Sequence, residues 1–108
     1  EGVASPSVVE IFKKNAMAEM KHYERLAERV IYLGGVPSTS VGQFKKGGSL
    51  TEMIGRALSD ERKAIKQYRE HIALAGEQGD PATRHLLEQI LLEEEEHEHE
   101  LENLLEKK

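Results

Sequence analysis

Hydrophobic residues recur at steps of three and four positions along three stretches of the chain, which is the period of an amphipathic helix. From this pattern we expect helices over about residues 6–33, 49–77 and 81–106. A loop over residues 34–48 separates the first two helices, and a tight turn separates the last two. The sequence therefore predicts an all-α fold with three long helices.

Residues that favour helix ends stand at the ends of these stretches. For the first helix, Ser5 can cap with Pro6 at the first helical position, or Ser7 and Glu10 can form a capping box. The other signals are a capping box of Ser49 and Glu52, the cap Asp80 followed by Pro81, and stop signals at Gly34, Gly35, Pro37, Gly76 and Gly79.

The two connections differ in length, and this difference constrains the topology. Because few residues join the second and third helices, we expect these helices to be antiparallel neighbours. Residues 34–48 can extend to roughly 50 Å, compared with about 42 Å for the first helix. The loop can therefore cross the whole bundle and leave the first and second helices parallel.

Polar residues interrupt the apolar stripe of each helix near its midpoint. They are Asn15, Glu19 and His22 in the first helix, Glu61 in the second, and Glu94 and His97 in the third. We expect the carboxylates and imidazoles to form one layer, which would be unstable in an apolar interior without a compensating cation. Since Lys and Arg are absent from the stripes, a metal is the natural candidate.

The spacing Glu-x-x-His occurs at Glu19–His22 and again at Glu94–His97. It puts two ligands on one face of a helix, about one turn apart, so that one helix can supply both to one ion. Together with Glu61, the two pairs predict a dinuclear site of oxygen and nitrogen ligands. Such a set suits Fe(II) or Mn(II), with Zn(II) able to compete. Redox chemistry with O2 or H2O2 is the expected activity.

Other polar residues are interpreted as structural. Those expected on the surface are Glu93, Glu95, Glu96, Glu98, His99 and Glu100 beside the third stripe, and His71 and His85 outside the stripes. Tyr68 and Tyr23 are expected in the core rather than in redox chemistry.

Composition limits the classes of function. The 108 residues suffice for one domain, residues 1–108, and the absence of cysteine excludes disulfides, thiolate zinc sites and thiol catalysis. A net charge of -5, with basic and acidic residues interleaved, argues against a nucleic-acid partner. No apolar run approaches the ~20 residues of a membrane span. We expect a soluble, cytoplasmic protein without a membrane partner.

The ordered motifs resemble bacterioferritin, from its second helix through its fourth, over nearly the whole chain. The matching segments are EMKHYERLAERVIYLGGVP, LTEMI, ALSDERKAIKQYREHI and LLEEEEHEHELENLL. The resemblance implies a ferritin-like helical bundle with a long crossover, and a di-iron ferroxidase that serves iron storage or detoxification. It also implies that Glu61 is the bridging ligand and that the two Glu-x-x-His pairs are the remaining ligands.

Met20 matches the methionine that binds haem b across a twofold subunit interface in that family. Met20 is turned about 100° from Glu19 around the helix and so can project toward a partner chain. The alternative is an ordinary methionine in a helix–helix contact beside Met17.

The chain also departs from the bacterioferritin pattern. The family's first helix, which carries another glutamate ligand, has no counterpart before Glu1, so we expect a fourth helix from another chain or from a second copy in a homo-oligomer, unless it is simply missing. The short C-terminal helix of the family is absent, which argues against a storage cage. Lys14 and Ala18 replace an internal iron-relay His and Asp, which argues against efficient mineral loading.

Two alternative functions remain at this stage. A rubrerythrin-like peroxidase usually has another carboxylate one turn after the bridging glutamate, where this chain has Ala64. The other alternative is a non-enzymatic helical module whose metal is structural or whose main ligand is haem.

Overall fold

The computed structural model describes residues 6–38 and 48–106, and all regular structure in these ranges is helical. The helices are α1 (Pro6–Tyr32), α2 (Leu50–Glu77) and α3 (Pro81–Glu106). Their bounds agree with the expected ones to within one residue, and the predicted all-α fold is confirmed. No helix in the described ranges is long and apolar enough to cross a membrane.

Two of the predicted N-terminal caps are present with their expected hydrogen bonds. Ser49 Oγ accepts from the backbone N–H of Glu52 at 3.1 Å, and the carboxylate of Glu52 accepts from the backbone N–H of Ser49 at 2.8 Å. At the start of α3, Asp80 Oδ1 accepts from the backbone N–H of Thr83 at 3.1 Å. These caps satisfy N–H groups that the first turn of a helix leaves without partners.

The start of α1 is only partly described. This helix begins at Pro6, as expected. The predicted cap Ser5 and the side chain of Ser7 lie outside the described residues. Residues 39–47 of the predicted crossover also lie outside them, so the parallel arrangement of the first two helices stays a prediction.

α1 and α2 end in the same kind of turn, which is built around a glycine. Gly34 has a φ of 92° and Gly79 a φ of 71°, in the left-handed region where a side chain would be strained. The backbone N–H of Gly35 donates to the carbonyl of Val30, and that of Asp80 donates to Ala75, both at 2.9 Å. The glycine stop signals therefore act as the sequence indicated.

The chain divides into two units, one with α1 and one with α2 and α3. In the second unit, α2 and α3 are antiparallel. Arg62 of α2 forms ion pairs with Glu98 and Glu102, while Arg69, two turns later, pairs with Glu95, which lies earlier on α3. This order of contacts confirms the predicted hairpin.

The buried side chains of the α2–α3 hairpin are those of the predicted stripes. They are Ile54, Leu58, Ile65 and Ala75 on α2, and Leu87, Ile90 and Leu101 on α3. Burial of each large aliphatic side chain contributes about 1.5–3 kcal/mol to stability. The apolar stripe of α1 is less regular. Val30 and Leu33 are exposed, although they follow Leu26 at steps of four and three residues and were expected on the buried face. Leu33 follows the last helical residue and so leaves the helical phase.

Candidate metal centre

Glu94 and His97 lie on the buried face of α3, one turn apart. Glu94 is 1% exposed and His97 is 6% exposed, and the buried residues Ile90 and Leu101 flank them along the same face. A carboxylate held this far from water is costly unless positive charge or hydrogen bonds compensate for the lost hydration. The phase of the helical pattern therefore predicted the burial of both residues correctly.

Glu61 of α2 faces this pair across the hairpin. His97 Nδ1 lies 3.3 Å from Glu61 Oε2 and 3.2 Å from Glu94 Oε1. One ring nitrogen therefore stands between two carboxylates, whose side chains are 12% and 1% exposed respectively. A single imidazole carries at most one positive charge, which cannot neutralise both.

Glu61, Glu94 and His97 each offer a ligand atom, and these atoms lie within 4.8 Å of one another. Two carboxylates and one imidazole are a donor set for Fe(II), Mn(II) or Zn(II). The burial of two negative charges gives the same indication, because a divalent cation would neutralise them. The residues present therefore fit a metal ion.

Two arginines of α2 form ion pairs with glutamates outside this cluster. Arg62 and Arg69 pair with the outer glutamates of α3 described above. The hydrogen bond to Glu102, followed by that to Glu98, raises the pKa of Arg62 above its ordinary value. This guanidinium therefore stays charged throughout the physiological pH range.

Glu19 and His22 lie together on α1, with 3.7 Å between His22 Nδ1 and Glu19 Oε1. The side chain of His22 is 3% exposed, whereas that of Glu19 is 45% exposed. The expectation that Glu19 is buried with the other ligands is therefore wrong. Three residues rotate a helix by 300°, so Glu19 and His22 differ in direction by about 60°, enough for one to be covered and the other not. That Glu19 and His22 belong to one metal site with Glu61, Glu94 and His97 stays a prediction.

Asn15 belongs to the same face of α1 and is not among the ligands that the sequence predicts. It is 8% exposed, and its Oδ1 is buried without a hydrogen-bond partner among the described residues. Its place in the stripe with Glu19 and His22 was the available signal. From the sequence alone, Asn15 is only an interruption of the apolar pattern.

The other polar residues of α2 and α3 differ in how far they are exposed. Glu96, His99, His71 and His85 are exposed, as expected, but Glu93, Glu95, Glu98 and Glu100 are only half-exposed. For Glu95 and Glu98 the cause is their pairing with arginines of α2. Tyr68 is half-buried.

Two residues of α1 that were considered for the core or for haem lie at the surface. Tyr23 is 50% exposed and donates a hydrogen bond to the carbonyl of Ser38 at 2.8 Å, so its expected place in the core is wrong. The phenol is held by the chain that follows α1 rather than by packing. Met20 is 65% exposed and Met17 61% exposed. Haem binding at Met20 stays a prediction.

Comparison with protein families gives one match over the whole chain. The profile of the family described as the Ferritin-like domain matches residues 1–108.

Individual relatives support the same grouping. The bacterioferritin of Desulfovibrio desulfuricans is 36% identical over 83 residues, which is 76% of this chain and 46% of that protein. The bacterioferritin of Mycobacterium tuberculosis is 33% identical over 89 residues, or 82% of this chain and 56% of that protein. The nutrient stress-induced DNA-binding protein of Nostoc sp. is 32% identical over 120 residues, or 99% of this chain and 64% of that protein. This chain spans about half the length of the curated relatives it matches.

Proposed function

The chain belongs to the ferritin-like domain family, and from this premise we propose that it binds Fe(II) and oxidises it to Fe(III) with O2 or H2O2. The observation that carries the proposal is the buried cluster of Glu61, Glu94 and His97 in the α2–α3 hairpin. The product would be ferric iron for storage or detoxification, as in the bacterioferritins that the chain resembles.

The five residues would act as ligands rather than as acids and bases. Glu94 and His97 would hold one iron, and Glu19 and His22 would hold a second. Glu61 would bridge the two ions, because it reaches toward His97 from the opposite helix. This assignment places α1 beside the hairpin, an arrangement that is part of the proposal.

The electron balance of the reaction needs two irons. Each Fe(II) loses one electron. Two electrons with two protons convert one H2O2 into two water molecules, or one O2 into one H2O2. Carboxylates are hard anionic donors and stabilise Fe(III) more than Fe(II), so they favour the oxidised product. The buried surroundings of Glu94 strengthen this preference, because few water dipoles screen its charge.

The test is the rate of iron oxidation in Glu94→Ala. Fe(II) is added under anaerobic conditions, then H2O2 or O2, and Fe(III) is followed by its ultraviolet absorbance. Since loss of a group that merely supports a ligand costs about 10–100-fold, loss of this ligand is expected to slow the initial rate by about 100-fold.

The matched control is Glu96→Ala, which removes an exposed carboxylate two residues further along the same helix. It should oxidise iron at the rate of the unmodified protein. Equal rates for Glu94→Ala and Glu96→Ala would contradict the proposal.

The alternatives differ in what the purified protein contains. Ala64, one turn after Glu61, offers no ligand atom, which disfavours the rubrerythrin-like peroxidase. Elemental analysis combined with the haem absorbance separates the ferroxidase from a structural metal site and from a haem-binding module. Two irons per chain support the ferroxidase, one zinc supports a structural metal, and half a haem per chain supports haem binding at Met20.

Three further properties remain predictions for this chain. The Nostoc relative is named as a DNA-binding protein, but a net charge of -5 gives this chain little attraction for phosphate, and we predict no binding to nucleic acid. The predicted homo-oligomer or partner helix and the predicted cytoplasmic location are likewise untested.

A further inference from the structure

Asn15 lies between Glu19 and His22 in direction around α1. At 100° per residue, Asn15 is about 40° from Glu19 and about 20° from His22, and it lies about 6 Å before Glu19 along the helix axis. The three side chains therefore share one face of a single helix, and this relation depends only on α1 itself.

The amide of Asn15 is poorly accommodated as a structural group. It is 92% buried, yet its Oδ1 has no hydrogen-bond partner in the part of the chain that the structure describes. A leucine, whose side chain has the same branched shape, would continue the apolar stripe without this penalty. An acceptor kept at such a position indicates a donor that arrives with a ligand.

The direction of helical side chains indicates what that donor is. Side chains on a helix lean toward its N-terminus, so Glu19 leans toward Asn15 while the short amide of Asn15 leans away from Glu19. A water molecule can join the short amide of Asn15 to an ion held by Glu19.

We propose that Asn15 is a positioning residue of the metal site, whose Oδ1 accepts a hydrogen bond from a water molecule bound to the ion held by Glu19 and His22. This inference rests on the proposed function. A neutral amide suits the role, since it orients the water without adding a further negative charge to the site. The bound ion in turn supplies the donor that the buried oxygen lacks.

The test uses Asn15→Leu and Co(II), a redox-stable ion whose visible spectrum reports its coordination number. Removing the buried oxygen should raise the Tm of the metal-free protein by roughly 4–8 °C. It should also raise the Kd for Co(II) by about tenfold. The visible band should become more intense, because loss of the ordered water lowers the coordination number.

Asn103→Leu is the matched control, since it makes the same change at an exposed position of α3. It should leave the Kd for Co(II) and the spectrum unchanged. Asn15→Asp is the second variant, for the case that the leucine variant does not fold. It keeps an oxygen acceptor and adds a charge, so it should lower the Tm of the metal-free protein and tighten Co(II) binding.

The outcomes separate this inference from the proposed function. If the unmodified protein binds Co(II) and both Asn15 variants retain its Kd and spectrum, Asn15 is only structural and this inference alone is wrong. If the unmodified protein binds no Co(II), both the proposed function and the inference are overturned. A weaker Kd together with a higher metal-free Tm in Asn15→Leu supports the assignment.

Discussion

His97 joins the two helices of the hairpin at its buried carboxylates. Its Nδ1 lies between Glu61 and Glu94, and all three side chains are shielded from water. Without the imidazole, the two carboxylates would lose the group that lies between them. Their mutual repulsion in a low-dielectric site makes the residue important even before a metal binds.

We expect His97→Leu to lose stability both with and without metal. In EDTA, loss of the imidazole that lies between the two carboxylates should lower the free energy of unfolding by about 1–3 kcal/mol. Zn(II) at about 100 times its Kd should stabilise the unmodified protein by roughly 2.7 kcal/mol, but the variant much less. Thermal unfolding in EDTA and in Zn(II) measures both effects. His99→Leu, at an exposed position of the same helix, is the control; if the two variants behave alike, the buried cluster has no special role.

At the scale of the helix, local hydrogen bonds determine where each element begins and ends. The reciprocal hydrogen bonds of Ser49 and Glu52 cap the N-terminus of α2. Asp80 caps the N-terminus of α3 immediately after the turn at Gly79. Each signal acts over three or four residues. The register of α2 against α3, and therefore the distance from Glu61 to His97, depends on where these ends lie.

Ser49→Ala should destabilise the protein by about 1 kcal/mol, because it removes the side-chain acceptor of the capping box. Urea unfolding followed by circular dichroism measures the change. Ser59→Ala makes the same substitution at an exposed position inside α2, where alanine is the better helix former and stability should not fall. Equal midpoints for Ser49→Ala and the unmodified protein would contradict the role of the cap.

At the scale of the whole molecule, the proposed dinuclear site would take ligands from both units. α1 supplies a Glu–His pair, and the hairpin supplies two carboxylates and one imidazole. Either set alone has too few donors for two ions. The proposed function therefore depends on their cooperation.

The number of bound ions tests this cooperation. We expect the unmodified protein to bind two Co(II) per chain in calorimetric titration and His22→Leu to bind one, since the hairpin ligands remain. His71→Leu, which changes an exposed histidine of α2, should still bind two. Two ions in His22→Leu would show that α1 does not contribute to the site.

Much of this protein is determined by local sequence, because helix ends and helical phase depend on residues close together in the chain. The caps at Ser49 and Asp80 were predictable for that reason, and so was the burial of Glu94 and His97. A stripe, however, covers about 100° of a helix, and within that width the sequence does not say which side chains are covered.

Tertiary packing alone decided the differences within a stripe. It left Glu19 half-exposed while burying His22, held Tyr23 at the surface through Ser38, and enclosed the amide oxygen of Asn15 without a hydrogen-bond donor among the described residues. It also brought His97 of α3 within 3.3 Å of the carboxylate of Glu61 on α2. These outcomes depend on contacts between atoms from distant parts of the chain. The hydrophobic period of a single helix does not predict such contacts.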